Sequence, residues 1–200
     1  MNRFQRLPRA LMANRRCEVL AGHVADLVPT DASVLDVGCG DGALTRRIGE
    51  RRPDLRVEGI EVFVRPDAEP LVREYDGQRI PYSDDAFETV LLIDVLHHAR
   101  DPMSLLREAV RVARRNIVLK DHVLAGLLAH ATLRFMDRAG NPPEVDQPHN
   151  YWVRQRWLEV FREVDLLLVD WRGSLGIYPL PADWVFGRSL HFVALLDVVR

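Results

Sequence analysis

Two spacings of apolar residues alternate along this chain. "SVLDV" (33–37) is a short unbroken apolar run, as in a strand buried on both faces. "ALTRRIGER" (43–51) follows with Leu44 and Ile48 on one helical face, and Pro53 lies beyond its end. "RVEGIEV" (56–62) predicts a second strand, "LVREYD" (71–76) a shorter third and "TVLLIDV" (89–95) a fourth. Asp101-Pro102 reads as a helix N-cap followed by proline at the first helical position. Leu105, Leu106, Ala109, Val110 and Ala113 form that helix's apolar stripe, and "NIVLK" (116–120) predicts a fifth strand. Strands alternating with helices predict an α/β, Rossmann-like sheet, mostly parallel, with helices on both faces. Ligands of such a sheet bind at the carboxyl ends of its strands.

After residue 122 the pattern changes. A helix is expected over 123–137, then the Pro-, Gly- and Asn-rich loop "RAGNPPEVDQPHN". "RQRWLEVFREV" is amphipathic, with Trp157, Leu158, Phe161 and Val164 on one side. "DLLLVDWRG" and "HFVALLDVV" predict two last strands, which bring the sheet to seven. Residues 1–200 therefore read as one domain. The start, "MNRFQRLPRALMANRRC", has five arginines and no acid. It predicts a helical cap over 1–30 with Phe4, Leu7 and Leu11 inward, and leaves room for weak contact of its basic face with a membrane surface.

Composition narrows the function classes. A net charge of -2 gives no general electrostatic basis for nucleic-acid binding, so no nucleic-acid partner is expected. Cys17 and Cys39 are too few for a disulfide framework, so a cytoplasmic setting is the default. No apolar run approaches the ~20 residues of a transmembrane helix.

"VLDVGCGDGALTRRI" (34–48) carries the strongest chemical signal. Gly38, Gly40 and Ala43 satisfy the dinucleotide fingerprint, but Asp36 and Asp41 sit among the glycines. A pyrophosphate there would face both acids. Like charges within ~4 Å cost about 4 kcal/mol at an effective dielectric near 20. A cationic ligand reverses the sign. S-adenosylmethionine (SAM) carries a sulfonium and an ammonium and no phosphate.

The motif "LDVGCGDG" resembles motif I of the class I SAM-dependent methyltransferases, and "GIEV" resembles the next motif. "YDGQRIPYSDDAFETVLLIDVLHHARDP" resembles the family's block from the third strand through the fourth. The resemblance covers roughly 33–121 and is nearest to the small-molecule, type 11-like branch that includes quinone methyltransferases. It implies a sheet with its last strand antiparallel, and SAM as cofactor. It implies donor contacts from Asp36, Gly38, Gly40, Asp41 and Gly42. It also assigns Glu61 to the ribose hydroxyls, Asp76 to the adenine amino group, Gly77 to a close approach and Asp94 to a place beside the methyl donor. The acceptor would be a small molecule, with the helix-loop-helix segment 123–165 over its site.

Two features depart from that family. Only fifteen positions separate Glu61 from Asp76, and they include two prolines, so the usual helix there must be short or absent. The Pro-Gly-Gly turn expected before the fifth strand is missing from "RVARRNIVLKDH".

Candidate acceptor-side residues follow the strand ends. Of 27 basic residues, Lys120 is the only lysine, and "KDH" ends the fifth strand. Lys120 is expected to fix an acceptor oxygen or Asp121, with Asp121 and His122 lining the pocket. His97 and His98 follow the fourth strand, and histidine suits removal of the acceptor's proton. Asp146, His149 and Tyr151 are loop candidates for closing over the substrate. No spacing among Asp94, Asp121, His122 and His149 is diagnostic of a metal, so none is expected. Two rival functions remain: a non-catalytic SAM-binding module, and a nicotinamide-dependent oxidoreductase using the same fingerprint.

Overall fold

The predicted strands join one seven-stranded sheet. A computed structural model describes residues 3–140, 148, 150–180, 182–187 and 189–200. Their order along the chain is α1 (Arg3–Leu27), β1 (Ser33–Val37), α2 (Ala43–Arg51), β2 (Arg56–Glu61), β3 (Val72–Glu74) and β4 (Phe87–Ile93). A 3-10 turn (Leu96–His98), α3 (Pro102–Val112), β5 (Ala113–His122), α4 (Ala129–Gly140), α5 (Arg154–Glu163), β6 (Leu166–Arg172) and β7 (His191–Val198) follow. The spatial order is β3-β2-β1-β4-β5-β7-β6. β7 runs antiparallel to both β5 and β6, while the other pairings are parallel.

Alternation within the strands divides the core in two. Leu35, Val90, Leu92, Ile117 and Leu119 face α3 and α5, where Trp157 and Phe161 pack against them. Val34, Leu91 and Val118 face the other way, against Leu20 and Val24 of α1 and Ile48 of α2. The same period sends Lys120 to the face of Val118 and Asp121 to that of Leu119. Asp101 caps α3, its carboxylate accepting from the Ser104 amide at 3.0 Å.

The two family departures have local solutions. Residues 62–71 contain no helix, and this segment is tied across the glycine turn by Glu69 N donating to Asp41 O at 2.9 Å. At the other site α3 ends at Val112 and Ala113 begins β5 directly. The surplus length appears as a register shift between Phe87↔Ala113 and Thr89↔Asn116.

Several boundaries differ from the periodicity. β5 runs to His122, and Val123 bridges Trp152, so the helix expected over 123–137 begins only at Ala129. Val123 N donates to Leu190 O at 3.0 Å, which holds this stretch extended. β3 is three residues long rather than six. Asp146, His149 and the side chains of Phe4, Leu7 and Leu11 lie outside the described set.

Candidate active site

The glycine turn between β1 and α2 is a backbone surface shaped by close approach. Gly38 N and Cys39 N donate to Ile60 O at 2.8 and 3.2 Å, pinning the turn to β2. Gly38 has φ +72°, and a Cβ there would stand 2.7 Å from Val95 Cγ2. Only glycine tolerates both conditions. Gly40 also has positive φ, but a Cβ at it would meet nothing within 4 Å. Gly42 opens α2, where a Cβ would lie 2.6 Å from Val72 Cγ2.

The acids around this turn differ in role. Asp41 accepts from Ala43 N at 3.1 Å. Asp36 is not beside it at the surface: it lies buried under the turn, where Oδ2 accepts from Thr45 Oγ1 at 2.6 Å. Its Oδ1 has no hydrogen-bond partner. Burial pushes the Asp36 pKa up to about 6. Of the two acids of the turn, Asp41 is exposed and Asp36 lies beneath the floor.

Glu61 ends β2 and folds onto the turn, with Oε2 accepting from Gly40 N at 2.8 Å and Oε1 from Val62 N at 2.7 Å. Asp76 is exposed and its Oδ1 accepts from Gln78 N and Arg79 N at 2.8 and 3.0 Å. These bonds hold its carboxyl below the usual range. Gly77 has φ +74°, and a Cβ there would crowd Val62 Cγ2 at 3.1 Å.

Past Val95 the site changes character. Asp94 has φ +58° and donates its amide to Lys120 O at 2.8 Å. Its carboxylate accepts from Lys120 Nζ on one oxygen and from Arg16 Nη2 of α1 on the other. Burial alone would raise the Asp94 pKa; Lys120 and Arg16 outweigh it and hold the carboxyl well below the usual range. Lys120 is wholly buried and lies 3.3 Å from His191 Nδ1. The expectation that it fixes Asp121 is therefore corrected. Strand alternation turns it toward α1 and Asp94, away from Asp121.

Asp121 meets a different partner, His97, whose Nδ1 lies 2.7 Å from Asp121 Oδ1. Burial would lower the His97 pKa, but Asp121 outweighs burial and raises it. His98 goes the other way, to about 4, through burial and the neighbouring His97. Burial and Lys120 also lower His122. The rings of His97 and His98, His97 and His122, and His122 and His191 have centroids 4.0, 4.5 and 4.8 Å apart. Asp137 of α4 completes the group, accepting from Tyr151 OH.

The strand ends thus bring together His97, His98, Lys120, Asp121 and His122, with Tyr151 beside them, while Asp146 and His149 lie outside the described residues. Arg16, Asp137 and His191 escaped the sequence reading. Arg16 is one of five similar arginines on α1, and neither Asp137 nor His191 lies in a motif.

A family model described as a methyltransferase domain matches residues 35–119. The chain is 32% identical over 133 residues to 27-O-demethylrifamycin SV methyltransferase of Amycolatopsis mediterranei, covering 56% of this chain and 48% of that protein. It is also 32% identical over 176 residues to tRNA U34 carboxymethyltransferase of Nautilia profundicola, covering 79% of this chain and 56% of the relative. The chain thus spans about half the length of these two relatives. Among solved structures, geranyl diphosphate C-methyltransferase of Streptomyces coelicolor A3(2) superposes with a TM-score of 0.69 at 16% identity, over 91% of this chain and 79% of that one.

Sheet order and glycine turn together define a Rossmann-like methyltransferase fold. Its match over residues 35–119 makes the chain similar to the class I SAM-dependent methyltransferases of the type 11 kind. SAM is the cofactor that this match supports, and the residues present fit it. Gly40 leaves its backbone open to close approach, Asp41 and Glu61 supply acceptor oxygens, and the unpaired Asp36 oxygen adds a negative floor.

Proposed function

We propose that this protein transfers the SAM methyl group to a small-molecule acceptor, leaving S-adenosylhomocysteine. Bound SAM supplies an electrophilic methyl group. Gly38, Gly40, Asp41 and Gly42 hold the donor's amino-acid end, Glu61 its ribose hydroxyls, and Asp76 with Gly77 its adenine. The acceptor binds at the carboxyl ends of β4 and β5. There the cluster of His97, His98, Asp121 and His122 orients it and receives its proton.

One observation carries this reading. The glycine turn touches Val95, and Val95 leads directly into the turn that bears His97 and His98. Donor cradle and proton-accepting groups therefore share a wall. In-line methyl transfer needs that adjacency, because the protein contributes mainly positioning and proton removal.

His97 and Asp121 are each 1% exposed, so an acceptor reaches them only when their cover lifts. Over them lie Tyr151, which donates to Asp137, and Asn150, whose N donates to His97 O at 3.2 Å. Two unpaired cysteines support a reducing, cytoplasmic setting. No described helix is long and apolar enough to cross a membrane.

The test is incubation with methyl-labelled SAM and a cell extract, followed by separation of small molecules from macromolecules. Label in a small-molecule fraction is the expected result. Label in RNA would move the acceptor class toward that of the tRNA-modifying relative. Binding of S-adenosylhomocysteine with no label in any fraction would favour a non-catalytic module, and binding of NAD in its place would favour an oxidoreductase.

A further inference from the structure

We propose that the outward face of α4, with the turn that leads into it, docks onto an anionic lipid bilayer. The docking does not rest on the proposed function.

α4 is apolar on two sides. On its inner side Ala129 and Leu133, with Met136, pack against Tyr151 and Leu190 in a small core of their own. Asp137, the only acid of the helix, is buried. The outer side is where a globular helix places its polar residues. Here it carries Phe135, 64% exposed, and the preceding turn carries Leu127, fully exposed, and Leu128, 70% exposed. Leu128 O accepts from Thr132 N at 2.9 Å, so the turn continues the helical winding. At about 3.6 residues per turn, Leu127, Leu128, Ala131, Arg134, Phe135 and Arg138 then share about a third of the circumference. Phe135 stacks on Phe186 with centroids 6.5 Å apart. That contact joins the turn Asp183–Gly187 to the same surface, and its Trp184 is 69% exposed.

Charge selects the occupant. Arg134 and Arg138 lie one helical turn apart, both exposed. With His130, Ala131 and Phe135 they line a groove of about 390 Å3 along the helix. Among the described residues neither arginine has an acidic partner. Apolar side chains with cations between them complement phosphate headgroups set over acyl chains, and an exposed tryptophan suits the same boundary. A second copy of the chain fits less well. A two-fold interface would bring the same basic patch up against itself, with no acid on either side to meet the arginines. A nucleic acid would match the arginines and leave the leucines uncovered.

The other side of this helix reaches the histidine cluster, with Asp137 Oδ1 3.6 Å from His122 Nε2. A docked protein therefore holds the carboxyl ends of β4 and β5 toward the bilayer, with α4 between.

The test is sedimentation of the full chain with vesicles of phosphatidylcholine alone and of phosphatidylcholine mixed with phosphatidylglycerol, at low and at high salt. Binding to the mixed vesicles is expected, weakened by salt and by leaving out phosphatidylglycerol. Arg134→Gln and Arg138→Gln should each weaken it about fivefold at low salt. Leu127→Asp combined with Leu128→Asp should weaken it about tenfold or more. Leu167→Asp combined with Val169→Asp, which alters exposed apolar residues of β6, should leave it unchanged. Circular dichroism confirms the fold of each variant. No binding to mixed vesicles, or equal binding to both kinds, would overturn the inference. So would binding by the folded Leu127→Asp, Leu128→Asp variant as strong as that of the native chain. Dimers in light scattering that this variant dissociates would also overturn it, because a second copy would then cover the face. Vesicle binding without methyl transfer would leave the docking surface standing and remove the proposed function; methyl transfer by protein that ignores vesicles would do the reverse.

Discussion

Lys120 donates to Asp94 across the ends of β5 and β4, and this pair joins the only lysine of the chain to the end of the donor-side strand. The lysine is wholly buried, so each partner depends on the other for its charge. Lys120→Met should cost about 3–5 kcal/mol, because it leaves a buried carboxylate with Arg16 alone. The thermal midpoint should fall by about 2–4 °C for each kcal/mol. Adding Asp94→Leu to Lys120→Met should recover most of that loss. A double variant no more stable than Lys120→Met would show that Asp94 is held by something other than this pair.

Gly38 and Gly40 share a left-handed backbone but not the same neighbours. Gly38→Ala drives a methyl group into Val95 and should cost about 1–3 kcal/mol in chemical denaturation. Gly40→Ala meets nothing within 4 Å and should cost only about 1 kcal/mol. Its effect should appear instead as lost affinity for S-adenosylhomocysteine, since the methyl group stands where the donor approaches. Unchanged affinity in folded Gly40→Ala would move the donor off this turn.

Glu61 holds Gly40 N, and the donor's ribose is assigned to the same carboxylate. Glu61→Gln keeps the shape and loses the charge. A hydrogen bond to a charged group is worth about 1.5–3 kcal/mol, so S-adenosylhomocysteine should bind roughly 10–100-fold more weakly. Calorimetry on the folded variant reads this directly.

Asp36 makes stability depend on pH in an unusual direction for an acid. Its folded pKa is raised from 3.8 to about 6 by burial, so the folded chain holds the proton more tightly than the unfolded one. The stabilisation is complete below pH 3.8 and is lost as pH rises through about 6. The full change is about 3 kcal/mol. Denaturation at several pH values in that window should show Asp36→Asn with a flatter profile than the native chain. Parallel profiles would mean that Asp36 is solvated.

Much of this protein is legible in local pattern. β1 and α2 match the predicted limits of 33–37 and 43–51 because an unbroken apolar run and a one-sided helical face leave little choice of period. The Asp101 cap is as readable, since its bond spans three residues. The short 62–71 segment was also foreseeable from its prolines. The helix of 123–137 was misplaced for a tertiary reason: residue 123 is held extended by Leu190 and Trp152, both far away in the chain.

The sequence by itself therefore determined the α/β order, the seven strands, the glycine turn and the family resemblance, because these depend on neighbours a few residues apart. Only the tertiary structure decided which acid meets which base. Strand alternation turns Lys120 to α1 and Asp121 to His97, and α4 brings Asp137 against three histidines from two elements. Charge pairing at that site is a matter of distances across 78 residues for Arg16 and Asp94, which no local spacing encodes.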